Sequence, residues 1–456
     1  MLVCRVGRIA WAPCGTKWMS SLILPFSVRN PAASPQRLHN NRKLSTLTDD
    51  LVAYARQCQS RSAAIETVEH GAQMVDRDSK GYEVEGVVRL QLVGAELNYA
   101  EGRSTEVETL CHRALTLVSE NDELLNTKFQ SECSLFARHL LTLTHLRRGE
   151  DNLANDLTST FADTDVSSSA YDFQSQIIGK KSRRGMAAVY EGMKGLLDHS
   201  LGARDLALES YDKVAETLGG TNVAEWKDKD AKLDHVAKNF AIFSSCLGDG
   251  FGGPDWDGRP DPLSQYDHVA AKAAEGARGL AADQKASAVW GSHALLKEVA
   301  HSADFAAAQE LVNRGDLDAA EARLESLLQS HAEEFSGEDS RAGLVVTKLA
   351  EVYLKSNRLT LAEGLFRNAG KLLSGGQVSI LDDPSAETEC HPSCAALLEL
   401  NYSKLLRVIP RREAEAARTL ERAEKRWSER VCPHTSLQDV SGRGVVDLQT
   451  QRLLYL

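Results

Sequence analysis

The chain has 456 residues, enough for two or three ordinary domains or one long repeat array, so a shortage of core is excluded. Hydrophobic residues make up 42% and charged residues 26%, with only 11 prolines, which excludes wholesale disorder; a net charge of −11 opposes non-specific nucleic-acid binding. No apolar run approaches the roughly 18 residues of a spanning helix, because Leu22 to Phe26, the longest early stretch, is broken by Pro25. No membrane span is expected.

The first element is a leader. Residues 1–48 contain Arg5, Arg8, Lys17, Arg29, Arg37, Arg42 and Lys43 and no acid before Asp49. Leu2, Val6 and Ile9 share one helical face while Arg5 and Arg8 share another, giving a short basic amphipathic helix of the transit-peptide kind. Arg42-Lys43-Leu44-Ser45-Thr46 resembles a mitochondrial processing pattern, so residues 1–44 read as a mitochondrial-type presequence cut after Leu44. A plastid transit peptide and an uncleaved basic tail are the alternatives. Without those residues 46 basic side chains face 64 acidic ones, and the surface becomes strongly acidic. Of nine cysteines two lie in the leader, and an odd remainder favours a reducing compartment over a disulfide framework. The expected location is mitochondrial, in the matrix or associated with the inner membrane.

From about residue 85 to 427 the apolar positions follow a helical period, which predicts an all-α chain. Region 45–247 carries degenerate helical repeats. Gly102 is followed by Val107, Cys111, Ala114 and Leu115, Gly149 by Ala154, Thr158 and Phe161, and Gly202 by Ala207, Tyr211 and Val214. Region 248–265 is a Gly/Pro/Asp-rich loop. Its Gly248, Gly250 and Gly253 satisfy a dinucleotide-binding spacing, but Pro254, Pro260 and Pro262 deny the helix such a site needs, and Asp255, Asp257 and Asp261 lack calcium-loop spacing.

Region 266–430 is helical again, with the clearest units at about 304–373 and 391–427. Ala307-Ala308-x-x-Leu311 leads through Gly315 to Ala320, Leu324 and Leu327. Leu349-Ala350-x-x-Tyr353 leads through Asn357 to Ala362, Phe366 and Ala369. After a loop from Ser374 to Cys390, His391-Pro392 opens a third unit through Leu398, Asn401 and Leu405 to Ala416, Leu420 and Ala423, with about two extra residues near Val408 to Arg412. Residues 431–456 read as a C-terminal tail.

The unit around Asn357 resembles the tetratricopeptide repeat, and the 42 residues from Gly315 to Asn357, with the His-Pro start, resemble its kinesin-light-chain subtype. The resemblance implies a right-handed α-solenoid of antiparallel helix pairs, a TPR-like superhelix whose first helices line a groove for a partner's peptide or helix. Carried over by frame, the groove positions are Phe305, Gln309, Val312 and Asn313 in one unit and Thr347, Glu351, Leu354 and Lys355 in the next. Family members that grip a terminal carboxylate use Lys and Asn where this chain has Thr347 and Glu351, so an amphipathic helix or extended segment is the expected ligand.

Cys390, His391 and Cys394 with Cys432 and His434 offer zinc-ligand types, against which stands a structural reading of His391-Pro392 as a helix start and Cys394 as a small core residue. Lys180-Lys181-Ser182-Arg183-Arg184 reads as a solvated basic loop between helices. No catalytic motif is found, and no catalytic residue, metal or cofactor is assigned. The expected function is an organelle protein-binding scaffold or assembly factor. An RNA-processing helical-repeat protein is the alternative, disfavoured by acidic charge and irregular period, followed by an enzyme with accessory repeats.

Overall fold

The computed structural model describes residues 47–55, 58, 60–77, 83–161, 180–218, 261–282, 293–335, 339–376, 378–383, 385–430, 436–441 and 444–454. The expected leader and the central loop up to residue 260 lie outside them, as do Cys432 and His434.

Nearly all described residues are helical. After α1 (residues 47–55) come α2 (Arg61–Arg77), α3 (Glu83–Ala100), α4 (Ser104–Glu120), α5 (Thr127–Arg148), α6 (Asp151–Phe161), α7 (Lys180–Ser200) and α8 (Arg204–Leu218). The second half holds α9 (Pro262–Ala282), α10 (His293–Arg314), α11 (Leu317–Glu334), α12 (Ser340–Lys355), α13 (Leu359–Leu372), α14 (Pro392–Val408), α15 (Glu413–Arg430) and the short α16 (Leu437–Ser441). Among the described residues one antiparallel hairpin, β1 (Val445–Asp447) with β2 (Arg452–Leu454), follows α16. The fold is an all-α, solenoid-like series of adjacent helix pairs, as the periodicity predicts.

A shared local device makes the pairs. α3/α4, α5/α6, α7/α8, α10/α11, α12/α13 and α14/α15 each turn through a residue with positive φ: Gly102, Gly149, Gly202, Gly315, Asn357 and Arg411. In the first five, that residue donates to a carbonyl three positions back and the next residue to one five back, as Gly102 N to Tyr99 O (3.1 Å) and Arg103 N to Asn98 O (2.9 Å). These bonds satisfy carbonyls left open at the helix end and fix the reversal. Five residues beyond each turn stands a small buried side chain, Val107, Ala154, Ala207, Ala320, Ala362 or Ala416, which lets the paired helices approach closely. The last turn is longer, with Ile409 extended before Arg411.

Two glycines test this account with opposite signs. Gly315 sits at φ +81° with nothing within 4 Å of an added Cβ, so Gly315→Ala is purely a conformational change and should cost about 1–2 kcal/mol. Gly364, inside α13, is equally unobstructed, and Gly364→Ala should stabilise by about 0.5–1 kcal/mol. Urea unfolding of both variants measures the two shifts.

Two large cores lie along the array. One joins α3, α4, α5 and α7 to α9 and α10, and the other joins α10 through α15. The hairpin belongs to both: Leu454 packs in the first, while Val446, Leu448 and Leu453 pack in the second. Successive residues of a strand face opposite ways, which is how Leu453 and Leu454 reach different cores. Residues 431–456, read from sequence as a tail, therefore contain a buried structural element. The basic run Lys180 to Arg184, read as a loop, forms the first turns of α7.

Candidate functional site

The hairpin packs against the first helices of three pairs, α7, α10 and α14, and the side of the array that these helices present to it is its inner face. Gln309 on α10 donates from Nε2 to the Val446 carbonyl (2.8 Å) and accepts at Oε1 from the Val446 N–H (2.9 Å). One side-chain amide thus pairs both main-chain groups of a β1 residue, as a neighbouring strand would. On α14, Ser393 Oγ accepts from Leu453 N (3.0 Å) and Cys394 Sγ donates to Gln451 O (3.1 Å). Ser340 Oγ on α12 donates to Gln451 Oε1 (2.8 Å). The hairpin tip is ordered by Asp447, which accepts from Gln449 N, Thr450 N and Thr450 Oγ1. Burial nevertheless pushes the Asp447 carboxyl above its ordinary value.

Arg452 extends the hairpin to the N-terminal half. It donates from Nε to Leu146 O (2.7 Å) and from Nη1 to Ser200 O (3.4 Å), and pairs with Asp151. Its guanidinium therefore meets carbonyls near the C-terminal ends of α5 and α7, where the helix dipole favours a cation, and a carboxylate in the first turn of α6.

Beside the hairpin lies a buried charge network. Glu298 on α10 accepts from Tyr99 OH (2.8 Å), Arg147 and Arg341 Nη1 (3.1 Å). Arg147 also donates from Nε to Gln449 O (2.8 Å) and lies 4.0 Å over the Tyr99 ring. Arg341 donates from Nε to Asp339 Oδ2 (2.6 Å) and from Nη2 to Ala100 O (2.6 Å), and stacks 4.5 Å from the centre of Phe335. Asp339 caps α12 by accepting from Ala342 N (2.9 Å) and meets His331 Nε2 (2.9 Å), whose ring abuts His301. Two guanidiniums face two carboxylates, so the buried charges balance. Burial alone would raise Asp339, but Arg341 and His331 outweigh it and hold the carboxyl well below its usual range. Burial lowers His331 despite Asp339.

The frame-derived groove positions divide along the helices. Phe305, Gln309, Val312 and Thr347 are buried. Gln309 holds the hairpin, Thr347 Oγ1 donates to Gly343 O (2.8 Å), and Phe305 and Val312 are core residues. Asn313 and Lys355 are exposed, and Glu351 and Leu354 half-buried, at the end the hairpin does not cover. Glu351 accepts from Lys348 (2.7 Å) and Lys355 (3.1 Å). Burial would raise its carboxyl, yet the two lysines hold it at about 2. Because this value lies below the ordinary 4.5, the stability it contributes is complete above that pH and lost as pH falls toward about 2. Glu351→Gln should flatten the acid limb of a Tm-against-pH curve in that window.

The zinc-type residues have other roles where they are described. His391 caps α14, its Nδ1 accepting from Ser393 N (3.2 Å) and meeting Ser393 Oγ (2.7 Å). Cys390 and Cys394 are buried thiols, and burial pushes Cys390 up to about 12. Glu108, His145 and Glu150 bring three possible metal-ligand atoms within 4.8 Å of one another. Arg148 already pairs with Glu108, and His145 Nδ1 with Glu150 at 2.6 Å. Sequence reasoning missed the hairpin, Arg147, Glu298, Arg341 and Arg452, whose contacts join residues far apart in the chain.

These features define an all-α array of helix pairs against which the chain's own hairpin is packed. No known protein-family model matches the chain, and no curated protein matches it.

Proposed function

We propose that this chain is a tetratricopeptide-type protein that serves in mitochondria as a protein-binding scaffold or assembly factor. The pairing of Gln309 with both main-chain groups of Val446 carries the reading, because it supports an inner face able to hold extended polypeptide. The left-handed turns and buried small residues of the helix pairs support the repeat type. The acid-free leader supports organelle import, and the acidic balance of the rest disfavours RNA as the main ligand.

Import of the tagged full chain into isolated mitochondria, followed by lysine cross-linking and mass spectrometry, tests both parts. The expected result is loss of the leader near Leu44 and a reproducible partner cross-linked to the inner face. Retention of the leader outside the organelle would remove the location. Cross-links to RNA alone, or to no protein, would remove the scaffold.

A further inference from the structure

Where the hairpin leaves the inner face open, the face is basic. Lys348, Glu351 and Lys355 stand at i, i+3 and i+7, on one side of α12. Lys404 and Arg407 stand at i and i+3 on α14, which packs against α12. Lys404 Nζ donates to Asn401 Oδ1 (3.2 Å) in a partly buried contact, and Arg407 is exposed. Glu351 is shared by Lys348 and Lys355 and leaves an excess of three positive charges. In a chain of net charge −11, that concentration runs against the whole.

The arrangement brings like charges together on α12 and α14. Burial lowers Lys404, and Lys348, Lys355 and Arg407 lower it further against the opposing pull of Glu351. Like charges gathered beside one satisfied carboxylate oppose folding, whereas an arriving anion would be favoured there.

We infer that Lys348, Lys355, Lys404 and Arg407 form a docking site for an acidic, extended segment of a partner protein, deepening the scaffold reading on which it rests. The occupant is polypeptide because the adjoining part of the same face already holds main chain through Gln309. Nucleic acid is disfavoured because a long polyanion would meet the chain's excess of acids beyond four clustered cations.

Fluorescence anisotropy with the full chain tests the site. The probes are a short fluorescein-labelled peptide alternating Glu and Leu, its Gln-for-Glu counterpart, and a labelled oligouridine RNA. The acidic peptide should bind, weaken with added salt and lose about tenfold or more in affinity in the Lys404→Gln/Arg407→Gln variant. That variant should melt at or above the wild-type temperature, because an opposed charge is removed, while Lys213→Gln on α8 leaves binding unchanged. Equal binding of both peptides, undiminished binding by the double variant, or tighter RNA binding lost in that variant overturns the site. If the double variant loses no cross-linked partner and the acidic peptide never binds, the docking site fails and the scaffold stands. If the peptide binds as described but mitochondria yield no cross-linked protein, the scaffold fails and the acidic-peptide site stands.

Discussion

Arg341→Leu is expected to lower the unfolding free energy by about 3–5 kcal/mol. The residue is 1% exposed and supplies hydrogen bonds to Glu298, Asp339 and the Ala100 carbonyl, joining α3, α10 and the start of α12. Leucine fills part of the volume but leaves two carboxylates facing one remaining guanidinium, Arg147. A buried charge without compensation is the expensive outcome, and the Ala100 carbonyl near the end of α3 loses its Arg341 donor as well. Arg341→Lys should recover only part of the loss, because an ammonium cannot span the same acceptors with a planar fork. Urea unfolding at neutral pH measures both variants, and a loss under about 1 kcal/mol for Arg341→Leu would contradict the network's role. The pH profile gives an independent reading. Asp339 is depressed from 3.8 in the folded chain, so its contribution is present above that value and lost as pH falls further. In Arg341→Leu the depression shrinks, and the acid-side loss should shrink with it.

The helix pairs were legible in sequence because their determinants are local. A left-handed turn selects glycine or asparagine, and close pairing selects a small residue five positions later, so Gly315 with Ala320 and Asn357 with Ala362 can be read within one segment. Arg411 fills the same conformational place without the residue type that announces it. The hairpin had no comparable signal. Its strands are three residues each, and Gln309, Arg147 and Arg452 reach partners 137, 302 and 306 positions away. Glu298 and Arg341 resemble ordinary charges on helices, since period and composition do not tell a buried ion pair from a solvated one. The frame did single out Gln309 for the inner face, but what the residue touches there depends on where residue 446 returns.

That return makes Gln309 the most informative residue of the candidate site. Gln309→Ala is expected to destabilise the chain by about 2–4 kcal/mol, because it strands a buried N–H and a buried C=O together. Gln309→Met restores volume without either bond and should recover only the packing part of the loss. Gln309→Glu retains an acceptor for the Val446 N–H but sets a carboxylate oxygen against the Val446 carbonyl, so a charged Glu should be at least as damaging as Ala. Its effect should ease on acidification as the carboxyl gains a proton and becomes a donor. Hydrogen exchange at the Val446 amide reports the bond directly, and thermal unfolding reports its reach. Since Leu453 and Leu454 serve different cores, loosening the hairpin should lower a single cooperative transition spanning both halves. Wild-type exchange at Val446 in Gln309→Ala would show the hairpin to be held independently of α10. A lowered first transition confined to the hairpin would instead mark it as a separable occupant of the inner face, and a partner strand could then compete for Gln309 by the same two hydrogen bonds.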